Sequence, residues 1–322
     1  MEDKSAEDAA PAFIISAYRL PRQLVRLVDR LSGGGATFWI HVDKKAPSSV
    51  QREIRDAFAG RTDVTQLPQH ACNWGDFGHV QASLKGIRAL LSSGRPFDVA
   101  ILLTGQCYPI KSRERMGEYF RENRGKSFLE WIPFPVPSWP DCMDRVERWH
   151  WWSGGRFFYF PGRGQFRTWY VERAWSEVLT RTGLDRVKRG IPFPERLFGG
   201  SGYWCLSPDA VQYVDGFVTK RPDFVSFFHR VLCPDEIFFQ TVLLNSPLAR
   251  TVVSESLRFI DWSRARARSP RILGTDDFPT LASSESLFAR KFDEEVDAEI
   301  LDRIDNELLG LPGYPVRRRS DP

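Results

Sequence analysis

The sequence predicts an α/β protein with a mainly parallel sheet flanked by helices. Short apolar runs at residues 13–17, 37–43 and 97–103 have the composition of buried strands. Segments in which apolar residues recur at helical spacing separate these runs. Strands that alternate with helices imply right-handed crossovers and a parallel sheet, whose ligands bind at the carboxyl ends of the strands.

The elements of the first half follow from this alternation. Pro21 opens a helix in which Leu24, Leu27, Val28 and Leu31 form one apolar stripe, and three consecutive glycines end it. Further along we predict strands at residues 64–67 and 127–132 and helices at residues 49–60, 78–93 and 114–121. Because they follow predicted strands, we expect these residues to lie at one rim of the sheet: Tyr18, Asp43, Trp74 and residues 105–109.

An aromatic, proline-rich insertion at residues 131–175 interrupts the pattern. It holds seven of the eleven tryptophans, and its prolines break any helix in its first part. Its rings form either a rim that stacks on sugars or a hydrophobic cluster of a folded loop, and the second interpretation is favoured. Beyond its core we predict helices at residues 169–183, 208–216, 222–231, 235–244 and 293–309 and strands at residues 202–206 and 258–262.

Length and composition favour one large folded domain. The chain has 322 residues, of which 42% are hydrophobic and 27% charged, so it can bury a sizeable core and is not a disordered or fibrous protein. We expect a disordered N-terminus at residues 1–10 and a tail at residues 311–322. Between them we expect a single domain at residues 11–310, with halves at residues 11–132 and 133–310.

The composition also bears on location and partners. The acidic N-terminus lacks the features of a secretory signal, and the longest aliphatic run, residues 99–103, is far shorter than the roughly 20 residues that span a bilayer. Five cysteines without a C-x-x-C pair are typical of reduced, mostly buried thiols, so we expect a cytoplasmic protein without a zinc site. The net charge of +4 is too small to indicate a nucleic-acid partner.

Phosphate-binding motifs are incomplete, whereas basic residues are concentrated in one segment. Residues 125–127 resemble the end of a P-loop, but Phe120 stands where that motif requires glycine. No Asp-x-Asp pair follows the strand at residues 97–103, where a metal-dependent sugar transferase would hold its ion. Residues 264–291 are rich in arginine and form either a phosphate-binding surface or an ordinary solvated one.

A series of short segments, taken in order, resembles one known family over residues 12 to 295. These segments are IHVDKK at residues 40–45, WG at 74–75, TGQCYPI at 104–110, GSGYWCLS at 200–207, PDEIFFQ at 234–240, RFIDW at 258–262 and FARKF at 288–292. The family is that of the core-2/I-branching β-1,6-N-acetylglucosaminyltransferases and peptide O-xylosyltransferases. The resemblance implies an inverting, nucleotide-sugar-dependent glycosyltransferase with a variant of the GT-A fold that needs no metal ion or other cofactor.

The resemblance assigns the role of catalytic base to Glu236. The segment after Pro234 is predicted to start a helix, whose N-terminus would favour the carboxylate, so a Glu of ordinary pKa would be ionised at pH 7. Such a carboxylate can accept the proton of an acceptor hydroxyl. Asp235 is expected to cap this turn, close to the acceptor. The alternative is that Glu236 itself caps the helix.

Donor-binding residues are likewise implied by the resemblance. Asp43 ends the second strand, where a carboxylate can accept hydrogen bonds from a uracil or a ribose, and Lys45 would lie beside the nucleotide. Arg290 and Lys291 correspond to a clamp on the diphosphate. Arg268 or Arg271 would supply a third cation, and the sequence does not choose between them. The alternative for Asp43 is a turn cap, and for Lys291 an exposed basic turn.

Ser201, Trp204 and Trp262 lie where the family contacts its acceptor. Trp204 is equally compatible with a core position. The chain departs from the family pattern at Tyr18, where relatives have histidine, and at Thr104 and Cys107 in the third segment. It also lacks the membrane anchor and disulfides of eukaryotic relatives, which points to a cytosolic enzyme of bacterial type.

The predicted function is transfer of a sugar from a UDP-sugar to a hydroxyl of a glycan or another acceptor. GlcNAc, xylose and glucuronic acid all occur among proteins with these motifs, so the sugar, the acceptor and the oligomeric state stay open. Two alternatives remain. A glycoside hydrolase would pair Glu236 with Asp261, and a non-catalytic binder of polysaccharide or nucleic acid would use the aromatic insertion.

Overall fold

A computed structural model describes residues 10–153, 155–162, 169–263 and 269–314. Its strands, in chain order, are β1 (Ala12–Ala17), β2 (Thr37–Val42), β3 (Val64–Gln66), β4 (Ala100–Thr104), β5 (Cys107–Pro109), β6 (Ser127–Leu129), β7 (Ile132–Pro133), β8 (Trp149–Ser153), β9 (Arg156–Phe160), β10 (Phe198–Gly199), β11 (Trp204–Leu206), β12 (Val252–Val253), β13 (Arg258–Ile260) and β14 (Phe288–Arg290).

Seven of these strands form the central sheet, in the order β12-β6-β11-β4-β1-β2-β3. Neighbours are parallel except at β11, which is antiparallel to both β4 and β6. In register, Ile15 of β1 lies between Ile40 of β2 and Leu103 of β4, and all three side chains are fully buried. Strands covered on both faces require such unbroken apolar runs. The predicted α/β class with a mainly parallel sheet is confirmed.

Helices cover both faces of this sheet. They are α1 (Pro21–Leu31), α2 (Ser48–Ala57), α3 (Gly78–Ser92), α4 (Arg113–Glu122), α5 (Asp144–Glu147), α6 (Trp169–Thr182), α7 (Pro208–Lys220), α8 (Pro222–Phe228), α9 (Phe238–Leu244), α10 (Phe278–Ser283) and α11 (Glu299–Arg303). One hydrophobic cluster joins α1, α2, α4, α10 and α11 to the sheet, and a second joins α3, α7, α8 and α9. Because alternate residues of a strand face opposite sides, Ile15 belongs to the first cluster and Ile14 to the second.

A second, three-stranded sheet was predicted only in part. It has the order β13-β14-β5, with β14 parallel to β13 and antiparallel to β5. The strand predicted at residues 258–262 contains β13, whereas β5 and β14 were missed, because three residues are too few for a hydrophobic period to be recognised. This sheet brings Arg290, at the end of β14, beside the central sheet.

The helix predicted at residues 293–309 is mostly wrong. Only Glu299–Arg303 is α-helical, and one π-helical turn, Ile304–Leu308, follows it. The preceding acidic residues are used in tertiary contacts: the Asp293 carboxylate lies 3.0 Å from a guanidinium nitrogen of Arg19, and Asp297 accepts the backbone N–H of Thr275 at 2.7 Å. These contacts hold residues 293–298 in a non-helical conformation.

The aromatic insertion contains a β-hairpin, β8–β9, that the sequence analysis did not predict. His150, Phe157 and Tyr159 share one face of it, with ring centroids of successive neighbours about 6 Å apart. Trp152 donates its indole N–H to the carbonyl of Trp74 at 2.9 Å, which ties the hairpin to the rim of the central sheet. The insertion is therefore packed largely against itself.

The remaining expectations concern the termini and the cysteines. Of the N-terminus expected to be disordered (residues 1–10) and the expected tail (residues 311–322), residues 1–9 and 315–322 lie outside the described residues. All five cysteines are buried as free thiols. Among the described helices, none combines the length and the apolar composition needed to cross a bilayer.

Candidate active site

A cleft of about 890 Å³ opens at the carboxyl ends of β1, β2 and β4. Ser16 and Tyr18 border it after β1, Asp43 after β2 and Thr104 at β4. This is the end of a parallel sheet at which ligands bind. The predicted site residues that line the cleft are Asp43, Lys45, Ser201, Asp235, Glu236, Trp262, Arg290 and Lys291. The fold thus gathers side chains from widely separated segments into one site.

Glu236 ends a single 3-10 turn, Pro234–Glu236, that comes directly before α9. Its backbone carbonyl accepts a hydrogen bond from Gly200 N at 2.9 Å. Its carboxylate Oε2 is paired with the guanidinium of Arg145, and 33% of the side chain is exposed. No described residue donates a hydrogen bond to Oε1. The carboxylate is therefore held on one side and open on the other.

The expectation that Glu236 or Asp235 caps a helix is wrong. Neither the 3-10 turn nor α9 has a side-chain cap. The side chain of Asp235 instead faces Gly202, where a Cβ would lie 3.1 Å from its Oδ2, and it lines the cleft. Both carboxylates are thus free of a capping role.

The expectation of an ordinary pKa for Glu236 is also wrong. Burial raises the pKa of this carboxyl, and the adjacent Asp235 carboxylate raises it further. The Arg145 guanidinium acts in the opposite direction, and Glu130 adds a smaller upward effect. An ionised carboxylate with a raised pKa is a better proton acceptor, which suits a general base.

The cleft also carries cationic side chains. The guanidinium carbon of Arg290 lies 4.6 Å from the centre of the Tyr203 ring, and its Nε is buried without a partner among the described residues. Lys291 Nζ donates to Ser269 Oγ at 3.4 Å. Burial lowers the pKa of Lys291, the positive charges of Arg290 and Arg19 lower it further, and the Asp293 carboxylate raises it. Arg290 and Lys291 thus place positive charge on the lining of the cleft.

The two candidates for a third cation have different outcomes. Arg268 lies outside the described residues. Arg271 does not line the cleft, because its guanidinium is bound by the carboxylates of Asp261 and Asp277. Arg19, which the sequence analysis did not single out, lines the cleft and contributes to the field at Lys291.

Asp43 and Lys45 form the rim next to β2. Asp43 Oδ1 accepts the backbone N–H of Lys45 at 2.8 Å and so fixes the turn after the strand. Lys45 Nζ lies 4.0 Å from Asp43 Oδ2 and donates to Asn73 Oδ1 at 2.8 Å. The turn-cap alternative for Asp43 is thus realised, while its second oxygen remains beside the cleft.

The three expected acceptor contacts do not share one environment. Trp204 is fully buried on β11 and packs on Phe239 with ring centroids 5.4 Å apart, so the structure assigns it to the core and the expectation of sugar stacking is wrong. Strand β11 is central in the sheet, which leaves no face of this indole open. Trp262, in contrast, is 55% exposed at the cleft, and Ser201 also lines it.

Three further residues at the cleft escaped the sequence analysis. Trp139 and Glu130 line it, and Arg145 binds Glu236 from the aromatic insertion. Trp139 and Arg145 belong to the aromatic insertion, for which the sequence favoured a packed hydrophobic cluster over a rim that stacks on sugars. No motif or spacing links them to Glu236, which is 91 residues from Arg145 in sequence.

His41, Cys72 and His70 also converge, with their potential ligand atoms within 4.8 Å of one another. His41 Nε2 accepts the backbone N–H of His70, and His70 Nε2 lies 2.8 Å from the carbonyl of Gly78. Burial raises the pKa of the Cys72 thiol to about 12. The cluster is a neutral hydrogen-bonded network that anchors the loop behind Asp43, and it does not present a set of free donors for a metal.

The fold and the charged cleft define an α/β protein with a ligand-binding site at the carboxyl ends of its parallel strands. The model of the family described as Branch: Core-2/I-Branching enzyme matches residues 11–138 and 159–282. The chain belongs to this family.

The chain also resembles curated proteins and a solved structure. Xylosyltransferase 2 of Homo sapiens is 28% identical over 92% of this chain and 33% of its own length, and Xylosyltransferase 1 of Homo sapiens is 27% identical over 94% and 31%. The chain thus spans about a third of these relatives. The mannosyltransferase Ktr4p from S. cerevisiae aligns with a TM-score of 0.34 at 10% identity, covering 74% of this chain and 67% of that structure.

Proposed function

We propose that the protein transfers a sugar from a UDP-sugar to a hydroxyl group of a glycan or another acceptor, with inversion at the anomeric carbon. The observation that carries this proposal is that a carboxylate and two cationic side chains line the same cleft. Glu236, with a free carboxylate oxygen, lines it together with Arg290 and Lys291. A displacement that moves a proton to a base and negative charge to a leaving group is served by both kinds of side chain.

The proposed reaction is a single displacement. The acceptor oxygen attacks the anomeric carbon while its proton passes to the Glu236 carboxylate. The bond between the anomeric carbon and the diphosphate oxygen breaks, and its electron pair leaves with UDP. Attack opposite to the leaving group inverts the configuration, so an α-linked donor would give a β-linked product.

The leaving UDP gains negative charge, which these two cationic side chains can stabilise. The Arg290 guanidinium offers several N–H donors in a planar fork, and Lys291 adds a compact positive charge. Burial and the positive charges of Arg290 and Arg19 lower the pKa of Lys291, and a bound diphosphate would act in the opposite direction. We therefore propose that protein cations do the work of a divalent ion and that no cofactor is needed.

Asp43 and Lys45 would hold the nucleoside part of the donor. The Asp43 oxygen that faces the cleft can accept a hydrogen bond from uracil or ribose. Asp235, Ser201 and Trp262 would contact the acceptor, since they line the same cleft. An exposed indole such as that of Trp262 can stack on a sugar ring.

The names of the relatives guide the choice of donor. Two of them are xylosyltransferases, so UDP-xylose is the first donor to test, together with UDP-GlcNAc. We propose a cytoplasmic enzyme with polysaccharide or another glycan as acceptor and without a nucleic-acid partner.

The glycoside hydrolase alternative has little support. The Asp261 carboxylate binds Arg271 and the backbone N–H of Ser263, and hydrogen bonds hold its pKa at about 2. Asp261 does not line the cleft, although its neighbours Ile260 and Trp262 do. It is therefore not placed to act with Glu236.

The test combines donor binding with turnover. Purified protein is screened by thermal shift against UDP-sugars with and without EDTA, and transfer to a panel of glycosides is followed by UDP release. Glu236→Gln should lose most turnover and keep its affinity for UDP, while Glu122→Gln, an exposed substitution on α4, should behave as the parent. NMR coupling of the new anomeric proton should report a β linkage.

Three results would contradict the proposal. One is transfer by Glu236→Gln at the parent rate, and another is an α-linked product. The third is activity that EDTA abolishes and Mn²⁺ restores. Release of free sugar from an oligosaccharide without nucleotide would support the hydrolase instead, and salt-dependent polymer binding without any turnover would support a non-catalytic binder.

A further inference from the structure

The aromatic insertion contacts the 3-10 turn Pro234–Glu236, called the catalytic turn below, through one side chain. Arg145 lies on α5, a four-residue helix within the insertion. Its Nη1 binds Glu236 Oε2, and the two side chains are 22% and 33% exposed. The pair therefore lies at the edge of the cleft, where water screens the two charges only in part.

Two further contacts fix the position of Arg145. Its guanidinium carbon lies 4.3 Å from the centre of the Trp139 ring, and Trp139 lines the cleft. Its backbone carbonyl accepts a hydrogen bond from Leu232 N at 2.9 Å. Leu232 is two residues before Pro234, the first residue of the catalytic turn. Helix α5 is thus bonded to this segment through its backbone as well as its side chain.

Besides Arg145, the charged groups that act most strongly on Glu236 are two carboxylates. Asp235 on the same turn and Glu130 after β6 both raise the pKa of Glu236. Cys233 directly precedes the turn, and the pKa of its thiol is raised, so the thiol is neutral. His79 of α3 lines the same cleft, and α9 carries no ionisable side chain.

We propose that Arg145 is a positioning residue for Glu236. By binding Oε2, Arg145 keeps the carboxylate ionised and leaves its Oε1 directed to the acceptor hydroxyl, ready to accept the proton. The inference rests on the proposed function of Glu236 as base. Arg145 counteracts the repulsion from Asp235 and Glu130 and keeps the carboxylate ionised toward lower pH. It touches neither donor nor acceptor in this role and takes no proton.

A series of three variants tests the inference through the pH dependence of kcat/KM. Arg145→Met and Arg145→Gln remove the positive charge, so the acid limb of the profile should move to higher pH by about one unit or more. Arg145→Lys keeps the charge but lacks the planar fork, so its acid limb should remain at the parent position while kcat falls. The probe reaction is transfer from whichever UDP-sugar the protein uses, or slow hydrolysis of that donor.

Arg148 supplies the matched control. It follows α5 directly, pairs with Asp144 at 3.1 Å and donates to the carbonyl of Pro161, without touching Glu236. Arg148→Met should leave the acid limb where it is. A merely structural role for Arg145 would lower thermal stability in all of its variants without moving the pH profile.

The outcomes separate this inference from the proposed function. If Glu236→Gln is inactive and the acid limb stays unchanged in Arg145→Gln, Glu236 is a base that Arg145 does not position. If Glu236→Gln retains parent activity, the function assigned to the glutamate is itself wrong. If Arg145→Met does not fold, the other two variants still test the inference. A parent-like acid limb in Arg145→Lys together with a shifted acid limb in Arg145→Gln would support the positioning role of Arg145.

Discussion

The guanidinium of Arg290 lies over the ring of Tyr203, 4.6 Å from its centre. Tyr203 comes just before β11 in the central sheet, and Arg290 ends β14 in the small sheet. This contact spans the two sheets and orients a cation that otherwise has an unpartnered Nε. The aromatic ring thus serves as the platform for one half of the proposed diphosphate clamp.

Replacing this platform should weaken nucleotide binding. Tyr203→Leu removes a cation–π contact worth about 0.5–2 kcal/mol, so we expect the Kd for UDP to rise by a factor of about 2 to 30. Isothermal titration calorimetry measures the change. Tyr213→Leu on α7, which removes a ring packed on Phe217, is the control, and its UDP affinity should match that of the parent.

The clamp itself should be more sensitive. Lys291→Ala removes a charged partner of the diphosphate, and hydrogen bonds to charged groups contribute about 1.5–3 kcal/mol, so UDP affinity should fall about 10- to 150-fold. Lys220→Ala, at the exposed end of α7, tests for a general charge effect and should change the affinity little. Equal affinities in Lys291→Ala and the parent would place the diphosphate elsewhere.

The affinity for UDP should also depend on alkaline pH. Since the pKa of Lys291 is lowered by burial and by the neighbouring arginines, this side chain loses its proton at a lower pH than an ordinary lysine. Binding that depends on the cation therefore declines as the pH rises through that lowered pKa. Titrations between pH 7 and 10 should show this decline in the parent and a flatter profile in Lys291→Arg.

The close approach at Gly200 should be essential to the catalytic turn. A Cβ at this position would lie 2.0 Å from the backbone oxygen of Glu130, and Gly200 N donates to the carbonyl of Glu236. Gly200→Ala should therefore destabilise the fold by about 1–3 kcal/mol and lower kcat. Gly216→Ala on α7 meets no atom within 4 Å and should stabilise the protein by about 0.4–1 kcal/mol, as urea denaturation would show.

A buried ion network far from the cleft should contribute strongly to stability. Asp305 is fully buried and binds Arg26, Arg30 and the hydroxyl of Tyr108. Asp305→Asn leaves the buried Arg26 without its main counter-charge, so unfolding should become easier by about 3–5 kcal/mol. Asp302→Asn breaks the more exposed ion pair of the same arginine and should cost less than about 1 kcal/mol, measured by the same urea titration.

Sequence reasoning succeeded where one local signal was enough. Unbroken apolar runs predicted β1, β2 and β4, because a strand between two helical layers must be apolar on both faces. The cleft could then be placed, since the carboxyl ends of parallel strands lie at one edge. Most of the predicted site residues line this cleft, among them Asp43, Glu236 and Lys291.

Sequence reasoning failed where contacts between distant segments determine the structure. The burial of Trp204 follows from the central position of β11, which no pattern of three residues reveals. Burial and the neighbouring Asp235 carboxylate raise the pKa of Glu236. The ion pair between Glu236 and Arg145 joins two segments that share no motif. The acidic residues at 293–298 suggested the start of a helix but are bound by Arg19 and Thr275.

The position of β14 between β13 and β5 also governs when the site can exist during synthesis. Asp43 is synthesised well before Arg290 and Lys291. A nascent chain that ends before β14 can build most of the central sheet and still lacks the proposed diphosphate clamp. The proposed donor site is therefore completed only after most of the sheet has been made, and a truncation that removes β14 should abolish donor binding before it unfolds the sheet.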